Sequence, residues 1–381
     1  MTSVPPPIAG TQDHPHARMS LTTALATGPS HSYLFHGPAG VGKRTAARAF
    51  AAELLAEGSP ESDGARRRAL AGTHPDLTWV RPTGAHVMRT EDVDEPVIAA
   101  ASRTPFESSR RVFVLERVDT MNDEVANRLL KTLEEPASFV HLLLITDALD
   151  AVLPTVVSRC QPVRFDRLPA DRIAVELERS GTERQRAAAC ARLALGNAAR
   201  ARYLASDEGQ ALQADADRMV TAALAGGGRG AGEPEAWRGL LDRADERRVA
   251  AEAAVEQDRR ERLQSEPKGR DRAALEKSFD EAARRDGRRA RTQVLDLGLT
   301  LAALGFRDLV CLAEGAPEAA LDPQRAEALS ASVSAHARDP QRLLAAAERC
   351  EDVRLSLELN VTEELALEAL GFRLARLVGA A

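Results

Sequence analysis

Between Ser32 and Phe165 short apolar or β-branched runs alternate with longer segments in which apolar residues recur every three or four positions. The runs SYLFH, DLTWV, RVFVL, HLLLIT and QPVRF predict strands, and their alternation with helical patterns predicts a parallel sheet with covering helices. In KRTAARAFAAELLAEG the period places Ala47, Phe50, Ala51 and Leu54 on one helical face, and in NDEVANRLLKTLEEP it does the same with Val125, Leu129, Leu130 and Leu133. Asn122 or Asp123 caps the second of these helices and Pro136 stops it.

Beyond Pro169 the strand pattern ceases. ADRIAVELERSG and ERQRAAACARLALGNAARARYLA predict a small helical domain. An all-helical region begins near Asp207, with a glycine-rich break from Ala225 to Pro234 and a heavily charged stretch from Trp237 to Arg291. The signs in that stretch are mixed, which fits a solvated helical insertion better than a nucleic-acid arm. VLDLGLTLAALGFRDLVCLAEG and LSLELNVTEELALEALGFRLARLV predict long, well-packed helices. The expected divisions are an α/β core over 1–166, a small helical domain over 167–206 and a helical domain over 207–381, with the charged insertion at about 237–291.

The chain's 381 residues, 44% of them hydrophobic, suffice for two or three domains. A net charge of -6 argues against gripping DNA through a broad basic surface of its own, so any nucleic-acid role is shared. Cys160, Cys190, Cys311 and Cys350 lie far apart with no C-x-x-C spacing, which indicates neither a zinc knuckle nor a disulfide framework and fits a reducing cytoplasm. The N-terminal segment lacks an apolar core of the signal-peptide kind, and no stretch is apolar enough to span a bilayer. The expectation is therefore a protein neither exported nor embedded in a membrane.

The candidate chemistry lies in HGPAGVGKRT, between the first predicted strand and the helix that follows it. In G-x-x-x-x-G-K-[ST] the glycines let backbone N–H groups approach phosphate oxygens, the lysine meets the β/γ-phosphates and the hydroxyl ligates magnesium. Gly37, Gly42 and Lys43 are present, but Arg44 stands at the magnesium position. Thr45, one residue on, is turned about 100° around the helix and cannot simply substitute. Sheets of this kind end their third strand in an acidic pair, one holding magnesium and one orienting water. Here Glu116 is followed by Arg117, and Asp119 comes late enough to read as a turn or cap acid. His74 reads as a capping or core residue rather than a metal ligand. Before the last strand stands Ser158-Arg159-Cys160, with an arginine that is either a surface ion-pair residue or a finger reaching a neighbour's γ-phosphate.

RVFVLERVDTMNDEVANRLLKTLEEP followed by LPTVVSRCQPVRF resembles the AAA+ clamp-loader family of bacterial DNA polymerase III, and within it the delta-prime branch. The resemblance runs from about Gly10 to Arg202 and returns in LELNVTEELALEALGFRL. It implies an AAA+ P-loop core, a small helical lid and an all-α C-terminal collar through which five subunits form a ring. It also implies roles: Gly37, Gly40, Gly42, Lys43 and Thr45 in the nucleotide loop, Glu116 and Arg117 at a degenerate Walker B pair, and Thr146 and Arg200 as sensors. Arg159 is then the finger offered in trans to the next subunit. ATP or ADP would be bound structurally if at all and not hydrolysed, and the family's four zinc cysteines are missing. The implied partners are gamma/tau and delta subunits and, through the complex, the sliding clamp and primer-template DNA. The chain would be an accessory subunit of a DNA polymerase without independent activity. Two other readings stay open at this point: an active gamma/tau-like ATPase motor, and a helical scaffold with a vestigial P-loop.

Overall fold

A computed structural model describes residues 8–57, 59, 61–83, 87–225, 235–265, 270–331, 339–357 and 361–379. Of the expected glycine-rich break at 225–234, all but Ala225 lies outside the described residues, as do the charged region's residues 266–269. The chain divides into two compact units, Met1–Ile173 with Leu195–Arg200, and Ala174–Ala194 with Ala201–Ala381.

In the first unit, β1 (Ser32–His36), β2 (Leu77–Val80), β3 (Arg111–Glu116), β4 (Val140–Thr146) and β5 (Gln161–Arg164) form one sheet in the order β2-β3-β4-β1-β5. Every pairing is parallel. These are the five predicted strands. Side chains alternate between two buried layers. Tyr33, Phe35, Val112, Val114, Leu143 and Ile145 join one, beneath α1 (Pro15–Thr27) and α2 (Lys43–Ala56). Leu34, Phe113, Leu115, Leu142 and Leu144 join the other, beneath α4 (Asp123–Glu134). With both faces covered, alternation in space becomes an unbroken apolar run in sequence. Between β1 and β2, α2 is followed by α3 (Ser62–Ala71).

Local chemistry fixes the ends of these elements. Asn122 Oδ1 accepts from Val125 N at 2.9 Å and caps α4, whose first turn carries Asp123 and Glu124 where the helix dipole favours anions. Asp76, fully buried ahead of β2, accepts from the N–H groups of Phe106, Glu107 and Ser108 at 2.6, 2.9 and 3.0 Å and pins the loop entering β3. His74 is buried and its Nδ1 accepts from Asp76 N at 3.1 Å, while burial lowers its pKa.

Helices follow: α5 (Pro154–Val157), α6 (Ala170–Arg179), α7 (Arg184–Leu193), α8 (Ala198–Ala205), α9 (Asp207–Leu224), α10 (Arg238–Ser265), α11 (Arg270–Ala313), α12 (Pro323–Ser330), α13 (Pro340–Ser356) and α14 (Glu363–Val378). Three differ from the reading of the sequence. The segment ERQRAAACARLALGNAARARYLA is not one helix but α7 and α8, broken where Leu195 and Gly196 both take positive φ (53° and 86°). Conversely, the charged stretch and the apolar VLDLGLTLAALGF are not separate, because α11 runs through both for 44 residues. In the last pattern Leu355 and Ser356 end α13, and α14 carries the pattern from Glu363 onward. In the second unit α9, α10, α12 and α13 pack along α11, burying Leu295, Leu299, Leu301 and Phe306. Buried Asp215 is paired with Arg218 and, at 2.6 Å, with Arg243.

Candidate functional site

Because all five strands are parallel, the ends of β1, β3 and β4 share one edge, and the adjacency of β3, β4 and β1 gathers the P-loop, Glu116 and Thr146 there. The loop leaves β1 at Gly37, where a Cβ would lie 2.0 Å from Phe165 O. Gly40 has φ of 75°, and a Cβ there would fall 1.9 Å from Asn197 Oδ1. Only glycine fits either position. Asn197 itself accepts from Arg200 N at 2.9 Å and so caps the start of α8 directly over the loop. Gly42 is the left-handed cap of α2.

Lys43 is buried, with its Nζ bonded to the carbonyls of Gly37 and Pro38 and paired with Asp147 at 2.7 Å. Burial lowers its pKa, opposed by the Asp147 contact. Thr45 is exposed in the first turn of α2, its Cβ 3.0 Å from where a Gly10 Cβ would stand. His14 is buried beside the loop. Its Nε2 donates to Val41 O at 2.7 Å, and its Nδ1 has no partner in the protein.

The two departures from the motif are joined. Arg44 donates to Glu116 Oε2, so the residue at the magnesium-hydroxyl position occupies the carboxylate at the metal-acid position. The other carboxylate oxygen accepts from Trp79 Nε1 at 2.6 Å and Arg81 Nε at 3.2 Å. Arg48 lies 4.3 Å over the Trp79 ring. Arg117 takes the left-handed conformation, φ 55° and ψ 47°, as the chain leaves β3. Thr146, buried at the end of β4, donates from Oγ1 to Asp119 Oδ1 at 2.8 Å and accepts from Ala148 N at 3.0 Å.

Arg159 follows α5 on a separate part of the surface. Its Nε donates to Glu134 Oε1 at 2.7 Å, its Nη2 also reaches that carboxylate, and Nη1 donates to Thr155 O at 2.8 Å. Neighbouring Cys160 is buried, and burial pushes its thiol up to about 12.

The donor set can be tested against the groups that P-loop chemistry implies. A nucleotide's phosphates fit, because the glycine turns form a cradle that a Cβ would fill. Magnesium does not fit, because it demands oxygen ligands in octahedral array. Arg44 offers none, and the oxygens of Glu116 are engaged by three cationic or N–H donors. The sequence foretold the loop and the acid. It did not foretell Asp147, Asn197, His14 or the partners Trp79 and Arg81, although the Gly196-Asn197 pair carries a turn-and-cap signal.

A glycine loop joining a parallel strand to a helix, with an acid ending a nearby strand, defines a P-loop protein. Residues 14–169, less than half of the chain, match the family described as DNA polymerase III, delta subunit. The DNA polymerase III subunit delta' of Pseudomonas aeruginosa is 39% identical over 137 residues, 34% of this chain and 42% of that protein. Subunit delta' of Bacillus subtilis is 35% identical over 36% of this chain and 43% of its own length. Subunit tau of Bacillus subtilis is 30% identical over 38% of this chain and 26% of its own. A gamma subunit-related protein of Thermotoga maritima superposes with a TM-score of 0.48 and 14% identity over 95% of this chain and 99% of its own. Over the matched residues the chain is similar to the delta' subunits of DNA polymerase III. The match spans less than half the length of these delta-prime relatives. Among the described residues no helix is long and apolar enough to cross a membrane.

Proposed function

We propose that the chain serves as the delta-prime subunit of a cytoplasmic clamp loader: part of a ring, with gamma/tau and delta partners, that places the sliding clamp on primed DNA. Its own nucleotide site is degenerate and does not hydrolyse ATP, and Arg159 completes the ATP site of the adjacent subunit. The observation that supports this most is the Arg44–Glu116 ion pair set beside an exposed Arg159. The ion pair withdraws both a magnesium ligand and its acid from the chain's own site, while the arginine able to act on a neighbour is kept on the surface.

In such a ring the loop glycines and Lys43 would hold the phosphates of ATP or ADP as a structural ligand. Arg117, at the position of a general base, cannot take a proton from water. The bound nucleotide supplies charge to be held, and no bond in it is broken here. Thr146, which donates to Asp119, and Arg200 would serve as sensors of the phosphate. Arg159 would add its charge to the transition state of the neighbouring γ-phosphate, worth about 10³ to 10⁵ in rate.

The test is clamp- and primer-stimulated ATP turnover by a reconstituted loader in which only this subunit carries Arg159→Ala. A fall of at least about tenfold, with the ring assembled, is expected from the lost finger. An unchanged rate removes the trans role, and turnover by the isolated chain with magnesium would instead support a motor.

A further inference from the structure

The misfit between this site and magnesium extends to how a nucleotide is held. We propose that the P-loop takes the polyphosphate of a nucleoside di- or triphosphate free of divalent cation, with the Arg44 guanidinium standing in the cation's place. This rests on the reading of the loop as a nucleotide site. It goes beyond that reading in specifying the ionic form of the ligand and the residue that selects it.

Three observations lead there. Arg44 is the first residue after the loop lysine and is held over the end of β3 by Glu116, the carboxylate that would otherwise help to hold a cation. Both oxygens of Glu116 are engaged: one takes Arg44, the other takes Trp79 and Arg81. Two guanidiniums thus stand at the carboxylate that would hold the metal, and their like charge opposes a divalent ion brought to it. Asp147 is itself paired with Lys43. A guanidinium meets phosphate through two parallel N–H bonds, a geometry suited to bridging neighbouring phosphate oxygens much as a metal does. Glu116 and the stack of Arg48 on Trp79 preorganise that cation from behind.

The experiment titrates the full chain with fluorescently labelled ADP and ATP, once with EDTA and once with excess magnesium. The expected result is binding in EDTA as tight as, or tighter than, in magnesium. Arg44→Thr, which restores the usual motif, should weaken binding in EDTA by about tenfold or more, the size of one charge-assisted hydrogen bond, and make it respond to magnesium. Binding by the unaltered chain that requires magnesium would overturn the proposal while leaving the nucleotide site standing. Binding in EDTA that Arg44→Thr leaves unchanged would overturn it as well, by removing Arg44 from the contact. Absence of binding in both conditions would overturn the nucleotide reading and the proposal with it.

Discussion

Replacing Glu116 separates a carboxylate that serves the fold from one held in readiness for a metal. Its side chain is 2% exposed, whereas those of Arg44 and Arg81 are 48% and 50% exposed and can hydrate if abandoned. Ion pairs with half-exposed partners contribute at most about 1 kcal/mol each. The Trp79 indole differs, since its N–H donates at 2.6 Å to an ionised acceptor, a bond worth about 1.5–3 kcal/mol. Glu116→Ala removes everything and should cost about 3 kcal/mol. Glu116→Gln keeps an acceptor for Trp79 and should cost only about 1 kcal/mol, the screened charge term. The chain has two tryptophans, so a Trp237→Phe background leaves Trp79 as the reporter of the first unit. Urea unfolding followed by its fluorescence then gives the difference without the screening an ionic denaturant would add. The reasoning is refuted if Glu116→Gln stabilises the unit. That result is expected of a carboxylate held under repulsion for a cation, and it would return Glu116 to metal binding.

Two further perturbations address the scaffold. Asp76→Asn leaves one oxygen for three N–H donors and turns an amide donor toward Phe106 N, so the first unit should lose about 2–4 kcal/mol in the same urea measurement. A loss below about 0.5 kcal/mol would show that the 106–108 loop is not held by this residue. Acid should weaken the same unit through His141, buried in β4 with Nδ1 bonded to Ser30 O at 2.9 Å and its pKa pushed by burial from 6.5 down to about 4. The neutral ring is favoured by folding, so this contribution is intact above the unfolded value and is lost as pH falls toward the folded one, by about 2 kcal/mol between pH 7 and pH 5. His141→Gln should flatten that part of the profile, and an unchanged profile would refute the assignment.

The strands were legible because each is covered on both faces, and a doubly buried strand writes itself as an apolar run that no surface element imitates. The candidate loop, the Glu116–Arg117 pair and Arg159 could be singled out in the sequence because such motifs depend on spacing within a few residues. What local pattern could not supply is pairing across the sheet. Trp79 and Arg81 meet Glu116 only because β2 lies beside β3. Asn197 meets Gly40 only because a turn at Leu195–Gly196 interrupts a helical period that the apolar positions carry straight through. In α11 the reverse holds. Burial changes along the helix while helix propensity does not, so the shift in composition marks no boundary.

Arg159 enters any encounter already ordered. A free arginine side chain carries roughly 2 kcal/mol of rotamer entropy, much of which is lost here to Glu134 and Thr155 before an anion arrives. Yet the hold is weak, because 34% of the arginine and 47% of the glutamate side chain face water, and such pairs are worth only about 0–1 kcal/mol. Capture of a more highly charged anion is then an exchange of partners. Once displaced, Glu134 is left as a bare negative charge close to that anion, so the carboxylate that poises the arginine also presses for its return when the anion's charge falls.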